Sequence, residues 1–508
     1  MTRPLKAILA LAPRLAHATH RLRAAPVVLL LSGCALTEGL FTTVGPKYQP
    51  PVAAVAAWFS PPPRVEPTPV LAPHGGDREA LSAWWRQFND PVLTELQAAA
   101  QRESATLAQA VARIARARAD AVAANALGNP SLDGTAGVSR SAFSFGGPAV
   151  QRNQAQAGVQ SAWEIDLFGG AARQRESARA QLEANLAAWH DGRVAVAAEV
   201  AQAYLNYRFC QLQVELARAD AASRAETARL TGITAGAGLQ SPANAALSRA
   251  GAADAAAVLQ QRQTQCALET KAMAALTGKD ETSLLKLLQL AAPAMPQLPR
   301  PAGFQVDAVP ARVLAQRPDV AAAERDLAVA SAGIGVAEAE RYPRLSLTGN
   351  VTPTRSRLDG SPAISVRTWS IGPSLTLPIL DGGRRAANTD AARAQYAAAE
   401  SNYRGKVRTA VREVEEAMLR ISAATARMAD VNTAATGYRD SLAAVRTRER
   451  AGLANLIELE DARRTSMAAD AAVVALEHEA VSAWINLYRA IGGGWDGRLD
   501  SGTARVQP

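Results

Sequence analysis

The stretch Gln154-Ala155-Gln156-Ala157-Gly158-Val159-Gln160-Ser161-Ala162-Trp163-Glu164-Ile165-Asp166-Leu167 changes character at almost every step. Ala155, Ala157, Val159, Trp163, Ile165 and Leu167 fall on one face, and Gln154, Gln156, Gln160, Glu164 and Asp166 fall on the other. A period of two predicts a strand. A polar face of amides and carboxylates opposite an apolar face suits a strand between a water-filled lumen and lipid. A half-exposed sheet on a soluble domain alternates equally well, so the stretch alone leaves both readings open. Three other segments share the pattern: 131–139, 345–351 and 369–379, the last with Trp369, Ile371, Leu375, Leu377 and Ile379 opposite Ser370, Ser374 and Thr376.

These strands belong to an internal duplication. Asn129-Pro130-Ser131-Leu132 matches Tyr342-Pro343-Arg344-Leu345 at a shift of about 213 residues, and Leu167-Phe168-Gly169-Gly170 matches Leu380-Asp381-Gly382-Gly383 at the same shift. Ala178-Arg179-Ala180-Gln181 and Gly238-Leu239 match Ala392-Arg393-Ala394-Gln395 and Gly452-Leu453 one residue later in register. A period this long is unlike a solenoid. Each half reads as helix, β-hairpin, long helix, tight turn, long helix. The long helices are predicted over 171–230 and 242–276, then 384–450 and 456–491, since Ala, Glu, Gln and Arg dominate and Pro is absent from their interiors. The expected organisation is 81–300 for repeat 1, 301–495 for repeat 2, and a disordered tail over 496–508.

Hydrophobic residues make up 48% of the 508-residue chain but aromatics only 5%. Ala-rich composition fills little volume and favours slim helices packed side by side. The formal charge of +9 does not indicate nucleic acid: five of the basic residues (Arg3, Lys6, Arg14, Arg21, Arg23) precede residue 34 with no acid among them, and later charges alternate in sign along helices, as on a solvated face. That basic start, the apolar run Val27-Val28-Leu29-Leu30-Leu31 and the small residues Ser32-Gly33 form an export signal over 1–33. Leu31-Ser32-Gly33-Cys34 looks like a bacterial lipobox, a resemblance that implies lipidation of Cys34, with an ordinary buried Cys after a secretory signal as the alternative; by resemblance to lipoprotein sorting signals, Ala35 after it favours the outer membrane. Residues 34–80 then read as a lipidated, extended segment, rich in Pro over 50–76. No stretch reaches the length of a membrane-spanning helix, so any spanning structure must be a closed β-barrel. Four strands per chain cannot close one, because outer-membrane barrels start at about 8. Three copies would supply about twelve, and two about eight, narrow for an open conduit.

Several segments together resemble the TolC-like outer-membrane factors, in particular the lipoprotein branch of OprM and NodT-type efflux components. They are Val44-Gly45-Pro46-Lys47-Tyr48-Gln49-Pro50-Pro51, Trp84-Trp85-Arg86-Gln87-Phe88-Asn89-Asp90-Pro91-Val92-Leu93, Arg317-Pro318-Asp319-Val320, Ile334-Gly335-Val336-Ala337, Leu380-Asp381-Gly382-Gly383-Arg384 and the ending Leu487-Tyr488-Arg489-Ala490-Ile491-Gly492-Gly493-Gly494-Trp495. The resemblance covers nearly the whole mature chain. It implies a mostly α fold with a small β part: a homotrimer whose 12-stranded outer-membrane β-barrel continues into a periplasmic α-helical barrel. It also implies a function, the exit duct of a tripartite efflux pump for small molecules, working with a periplasmic adaptor protein and an inner-membrane resistance-nodulation-division transporter. A type I protein secretion duct is the alternative within the family. A structural helical surface lipoprotein is a further one, but sustained heptads of large apolar residues are absent.

By resemblance, the turns at Gly238-Leu239 and Gly452-Leu453 are adaptor-docking tips; as plain chemistry they are helix reversals that need Gly. Past the second tip, Glu458 and Asp461 lie three apart and Arg464 three further on, on one helix face. The resemblance places them at a closed periplasmic aperture, whereas an ordinary exposed i,i+3 set is the alternative. At the first tip Asn244 stands where relatives usually carry Asp, after an unusual Pro242, so this position brings no carboxylate to a latch. Cys210 and Cys266 each lie 28 residues from Gly238. A helix pair turning at Gly238 brings them to one height, and an exported protein permits a disulfide; two free buried thiols are the alternative. His190 and His478 have no partner at metal-ligand spacing, and no nucleotide loop, dinucleotide fingerprint or nucleophile elbow occurs. No cofactor, metal or catalytic residue is therefore expected.

Overall fold

The computed structural model describes residues 41–51, 84–144, 146–290, 298–299, 301 and 313–495. The export signal, Cys34, most of the Pro-rich segment and the C-terminal tail lie outside the described residues. The elements are α1 (Pro91–Glu103), α2 (Ala105–Ala126), β1 (Ser131–Phe143), β2 (Val150–Ile165), α3 (Gly170–Gly236), α4 (Pro242–Thr277), α5 (Glu281–Leu290), α6 (Pro318–Ala339), β3 (Arg344–Leu358), β4 (Ile364–Thr376), α7 (Arg384–Arg450) and α8 (Leu456–Ala490). The duplication is visible in their lengths. α3 and α7 both have 67 residues, and α4 and α8 have 36 and 35.

The strands and long helices occupy most of the segments that period and punctuation indicated; each strand runs several residues further at its hairpin end, while β2 and β4 stop at Ile165 and Thr376, short of the expected ends at Leu167 and Ile379. Two details differ from the expected order. The first helix is broken into α1 and α2 at Ser104, whose hydroxyl accepts from the Leu107 amide at 3.3 Å and so caps a new helix. α5 is an additional helix: Gly278 ends α4 in the left-handed region at φ 65°, and the Asp280 carboxylate accepts from the Ser283 amide at 3.0 Å.

The chain divides into two compact units, and each sequence half contributes to both: 1–49, 117–181 and 326–399 form one, and 50–116, 182–325 and 400–508 the other. The first holds an antiparallel sheet in the order β1-β2-β3-β4, so a strand of each repeat forms the central pair. Directly paired residues share a face. Gly134, Val159, Val351 and Trp369 therefore line up on one side, and Asp133, Gln160, Asn350 and Ser370 on the other. Along the same strands Val138 and Ile371 are largely exposed as well. β1 and β4 each have one edge unpaired among the described residues.

In the same unit Val44 and Gly45 dock on helices from both repeats. The Arg173 guanidinium, 4% exposed, donates to the Val44 and Gly45 carbonyls at 3.0 Å each and pairs with Glu176 at 2.7 Å. Gly45 has φ 87°, and a Cβ there would lie 2.5 Å from Gly335 Cα. The two glycines let backbone meet backbone, which accounts for both sequence motifs that contain them.

The second unit holds the main core. Trp84 stacks on Tyr488 with ring centroids 4.8 Å apart and meets Phe88 edge-on at 5.1 Å. Asp90 caps α1 by accepting from the Val92 amide at 2.9 Å and also receives the Tyr204 hydroxyl at 2.7 Å. Elsewhere the buried positions of the long helices mix Ala with larger residues such as Val414, Met418, Leu476 and Ile485, with polar ties setting their register. Ser482 donates to Gln202 and Gln202 to Asn206, both at 2.9 Å, and His478 Nε2 lies 2.9 Å from the same Asn206 oxygen. Burial lowers the His478 pKa.

Candidate functional site: the helical tips

The two helix reversals have one backbone. At the first, the Gly238 amide donates to the Ala235 carbonyl at 3.0 Å and the Leu239 amide to the Thr234 carbonyl at 2.9 Å; at the second, Gly452 donates to Glu449 at 2.9 Å and Leu453 to Arg448 at 2.8 Å. This pair of bonds closes a helix only through a left-handed residue, and the glycines have φ 74° and 71°. Three residues on, Ser241 accepts from the Asn244 amide at 3.2 Å and Asn455 from the Glu458 amide at 2.8 Å, starting α4 and α8. Leu239 and Leu453, 78% and 71% exposed, project at the matched positions.

This register fixes which residues correspond. Asn244 stands opposite Glu458, Leu247 opposite Asp461, and Ala250 opposite Arg464, at a shift of 214. The first tip is therefore neutral at all three positions. At the second tip Arg448 clasps Glu458 at 2.6 Å across the turn and donates to the Leu453 carbonyl at 3.1 Å, while Arg464 pairs with Asp461 at 2.7 Å. The structure thus separates residues grouped by sequence. Glu458 faces its own turn, whereas Asn244, Asp461 and Arg464 line one cavity of about 320 Å³ together with Arg224, Thr227 and Glu460.

Sequence reasoning missed Thr227, Glu460 and Arg448. The buried Thr227 hydroxyl donates to Glu460 at 2.6 Å, tying α3 to α8, and Arg463 pairs with the same carboxylate. Arg448 and Glu458 mirror each other about Leu453, a signal of the same kind as the two cysteines about Gly238. Cys210 and Cys266 are joined by a disulfide, with Cα atoms 5.5 Å apart.

The Arg317-Pro318-Asp319-Val320 motif lies elsewhere in the second unit. Pro318 begins α6, and Arg317, 5% exposed, forks onto both Asp319 oxygens at 2.9 and 2.8 Å. It also reaches Glu413 of α7 at 2.8 Å and the Ala490 carbonyl at the end of α8 at 2.7 Å. Burial raises the Asp319 pKa, but the Arg317 bonds and charge outweigh it and hold the carboxyl below its ordinary value. Burial and the Asp319 charge push neighbouring Asp191 up. A Cβ on Gly492 would lie 2.3 Å from the Gln316 carbonyl oxygen, so the terminal glycines admit the motif's backbone as well as stopping α8. Among the described residues no cluster of His, Cys, Asp or Glu could hold a metal ion.

The family model described as outer membrane efflux protein matches residues 96–279 and 309–493, once on each half of the chain. The chain belongs to the outer membrane efflux protein family. Nodulation protein T of Rhizobium leguminosarum bv. viciae is 31% identical over 487 residues, covering 94% of each chain. The outer membrane protein OprJ of Pseudomonas aeruginosa is 33% identical over 340 residues, 66% of this chain and 69% of that one. Among solved structures, the outer-membrane channel OprN superposes with a TM-score of 0.77 at 29% identity, over 89% of this chain and 99% of that chain. The Neisseria gonorrhoeae MtrE channel shares the fold at TM-score 0.74 and 24% identity, over 90% and 100%.

Proposed function

We propose that this member of the outer membrane efflux protein family is the outer-membrane exit duct of a resistance-nodulation-division efflux pump for small molecules. The observation that carries the reading is the four-stranded sheet, with an apolar band on one face of its helix-side half opposite a polar face, and with both edges unpaired among the described residues. Exposed apolar side chains on one face of an open sheet are an aggregation hazard in water. In lipid they are the required surface, and the open edges are satisfied by identical neighbours. Three copies give a closed barrel of about twelve strands. The long helices form the periplasmic part, and lipidated Cys34 anchors each copy.

The pump's energy comes from its inner-membrane partner, and this chain performs no covalent chemistry. The exposed Leu239 and Leu453 tips supply apolar contacts for a periplasmic adaptor. Glu458, Asp461 and Arg464, repeated three times, form a polar latch at the aperture, with Asn244 as the neutral counterpart from repeat 1. Detergent-purified protein is expected to have the mass of a trimer and to conduct ions across planar bilayers. A monomer that conducts nothing would refute the reading.

A further inference from the structure

The sheet places four arginines on the face that the barrel reading turns toward lipid. Rows of paired residues run across that face as Ile165, Leu345 and Leu375; then Trp163, Leu347 and Pro373; then Val159, Val351 and Trp369. All of these are apolar; the row between the last two, Ser161, Gly349 and Ile371, adds one small hydroxyl. Toward the hairpin turns the chemistry changes. Pro353 pairs with Arg367, Ala155 with Arg355 and Arg355 with Ser365, and Asn153 lies between Arg140 and Arg357. All four arginines are exposed. Arg140 hydrogen-bonds Gln151 through Nε at 3.0 Å, and among the described residues none of the four is ion-paired. Arg152, by contrast, pairs with Ser141 and Leu358 on the opposite face and reaches the Ser356 hydroxyl at 3.1 Å.

Height along the strand decides what these arginines meet. Leu345 and Arg355 lie ten residues apart on β3. At about 3.4 Å per residue and a tilt of about 40°, that is about 26 Å along the membrane normal, against an apolar band of about 25 Å in outer-membrane barrels. Arginine on the lipid face is costly at mid-membrane and nearly free at the interface. The Arg355 level is one band height above the lowest apolar row. It lies at the end of the sheet where β1 passes to β2 and β3 to β4, away from the helix connections. Guanidinium groups bind phosphate bidentately. Strand pairing spaces neighbours in the set (Arg140 and Arg357, Arg357 and Arg355, Arg355 and Arg367) at roughly 7–10 Å, close enough for adjacent members to share one polyanionic headgroup, while the whole set spans about 20 Å.

We propose that Arg140, Arg355, Arg357 and Arg367 form a girdle that binds the phosphates of anionic lipid in the outer leaflet. The proposal rests on the barrel reading above. The test reconstitutes the full-length protein in neutral phosphatidylcholine nanodiscs and titrates bis-phosphorylated lipid A, its dephosphorylated form, and inorganic phosphate as competitor. Wild type, R140Q/R355Q/R357Q/R367Q, the matching four-lysine variant and R152Q are compared. Wild type and R152Q are expected to bind lipid A alike. The glutamine variant should lose about tenfold or more, the minimum for removing several charge-assisted contacts, and the lysine variant should recover part of that loss. Inorganic phosphate alone should compete weakly, because it lacks the acyl chains. Equal binding of lipid A and its dephosphorylated form by wild type overturns the girdle without needing any variant. So does undiminished lipid A binding by a glutamine variant that inserts and conducts normally. Failure of wild type to insert or conduct in neutral bilayers would instead overturn the barrel reading.

Discussion

The hairpins α3–α4 and α7–α8 have matched lengths and one turn geometry, yet they are fastened by different chemistry. The first is closed by the Cys210–Cys266 disulfide. At the corresponding positions of the second stand Ala424 and Ala480. There the two helices are tied instead by ion pairs at three heights: Arg427 with Glu479, Arg439 with Asp470, and Arg448 with Glu458. A covalent tie ignores salt and pH, whereas exposed ion pairs contribute about 0.2–1 kcal/mol each and weaken as salt rises. Duplication kept the backbone and let the side chains diverge. One hairpin became a fixed strut, and the other kept ties that can open and re-form, as the proposed aperture would require.

The largest effect that can test this contrast is loss of the staple. Replacing both Cys210 and Cys266 with Ser frees a loop of 56 residues, which in the chain-entropy model costs about 4 kcal/mol. Thermal unfolding with and without reductant should show wild type falling to the variant's midpoint, by the same amount at low and high salt. If reductant leaves the wild-type midpoint unchanged, the strut is not covalent in solution.

Next in size is the anchor at the far end of α8. The first repeat has Ser104 where the second has Arg317, so its helix is merely capped while the second is bound to α7 and α8. Arg317→Gln leaves Asp319 and Glu413 without their shared cation, with Asp319 still beside half-buried Asp191, and should cost about 3 kcal/mol. The pH dependence follows from Asp319. Its folded pKa is depressed, so its stabilisation is complete above the unfolded value of about 3.9 and is lost as pH falls through the lower folded value. In the Gln variant that acid-labile component should be absent. An acid-unfolding curve identical in shape to wild type would remove Asp319 from the account.

A smaller effect tests the latch. If each Asp461 contributes about 0.5 kcal/mol to a closed aperture, three copies contribute about 1.5 kcal/mol, and Asp461→Ala shifts the closed–open balance by about tenfold. Single-channel recording in planar bilayers should register raised conductance. Unchanged conductance would leave the pairing with Arg464 as an ordinary surface contact.

How much of this was legible in the sequence depends on how far apart the partners lie. Strands and long helices were readable, since period two, period 3.6 and the Gly turns are local signals. The cysteine pair was readable because reflection about one turn converts sequence distance into height. The same reflection finds Arg448 and Glu458, but only once the turn is fixed to the residue. Arg173 was not legible. Its role depends on Val44, Gly45 and Gly335 meeting at one place, and no local pattern brings together segments more than a hundred residues apart. Thr227 was hidden for a similar reason: its partner Glu460 lies 233 residues away, and a lone Thr in a helix reads as a filler.

The smallest expected effect is a difference close to zero, and it separates backbone from side chain most sharply. Gly238 and Gly452 both sit at positive φ, and a Cβ at either would meet nothing within 4 Å. Alanine at either position therefore incurs only the left-handed backbone penalty, about 1–2 kcal/mol, with no steric addition. G238A and G452A should lower the unfolding midpoint by the same amount, to within about 0.5 kcal/mol for independent sites. The two variants should nevertheless differ in conductance, because only the second turn holds Arg448 against Glu458 and Leu453. Equal stability with unequal gating would assign the divergence of the tips to side-chain charge alone. Unequal stability would mean that the two turns are not energetic equivalents, and the contrast between strut and latch would then have to be sought in the backbone.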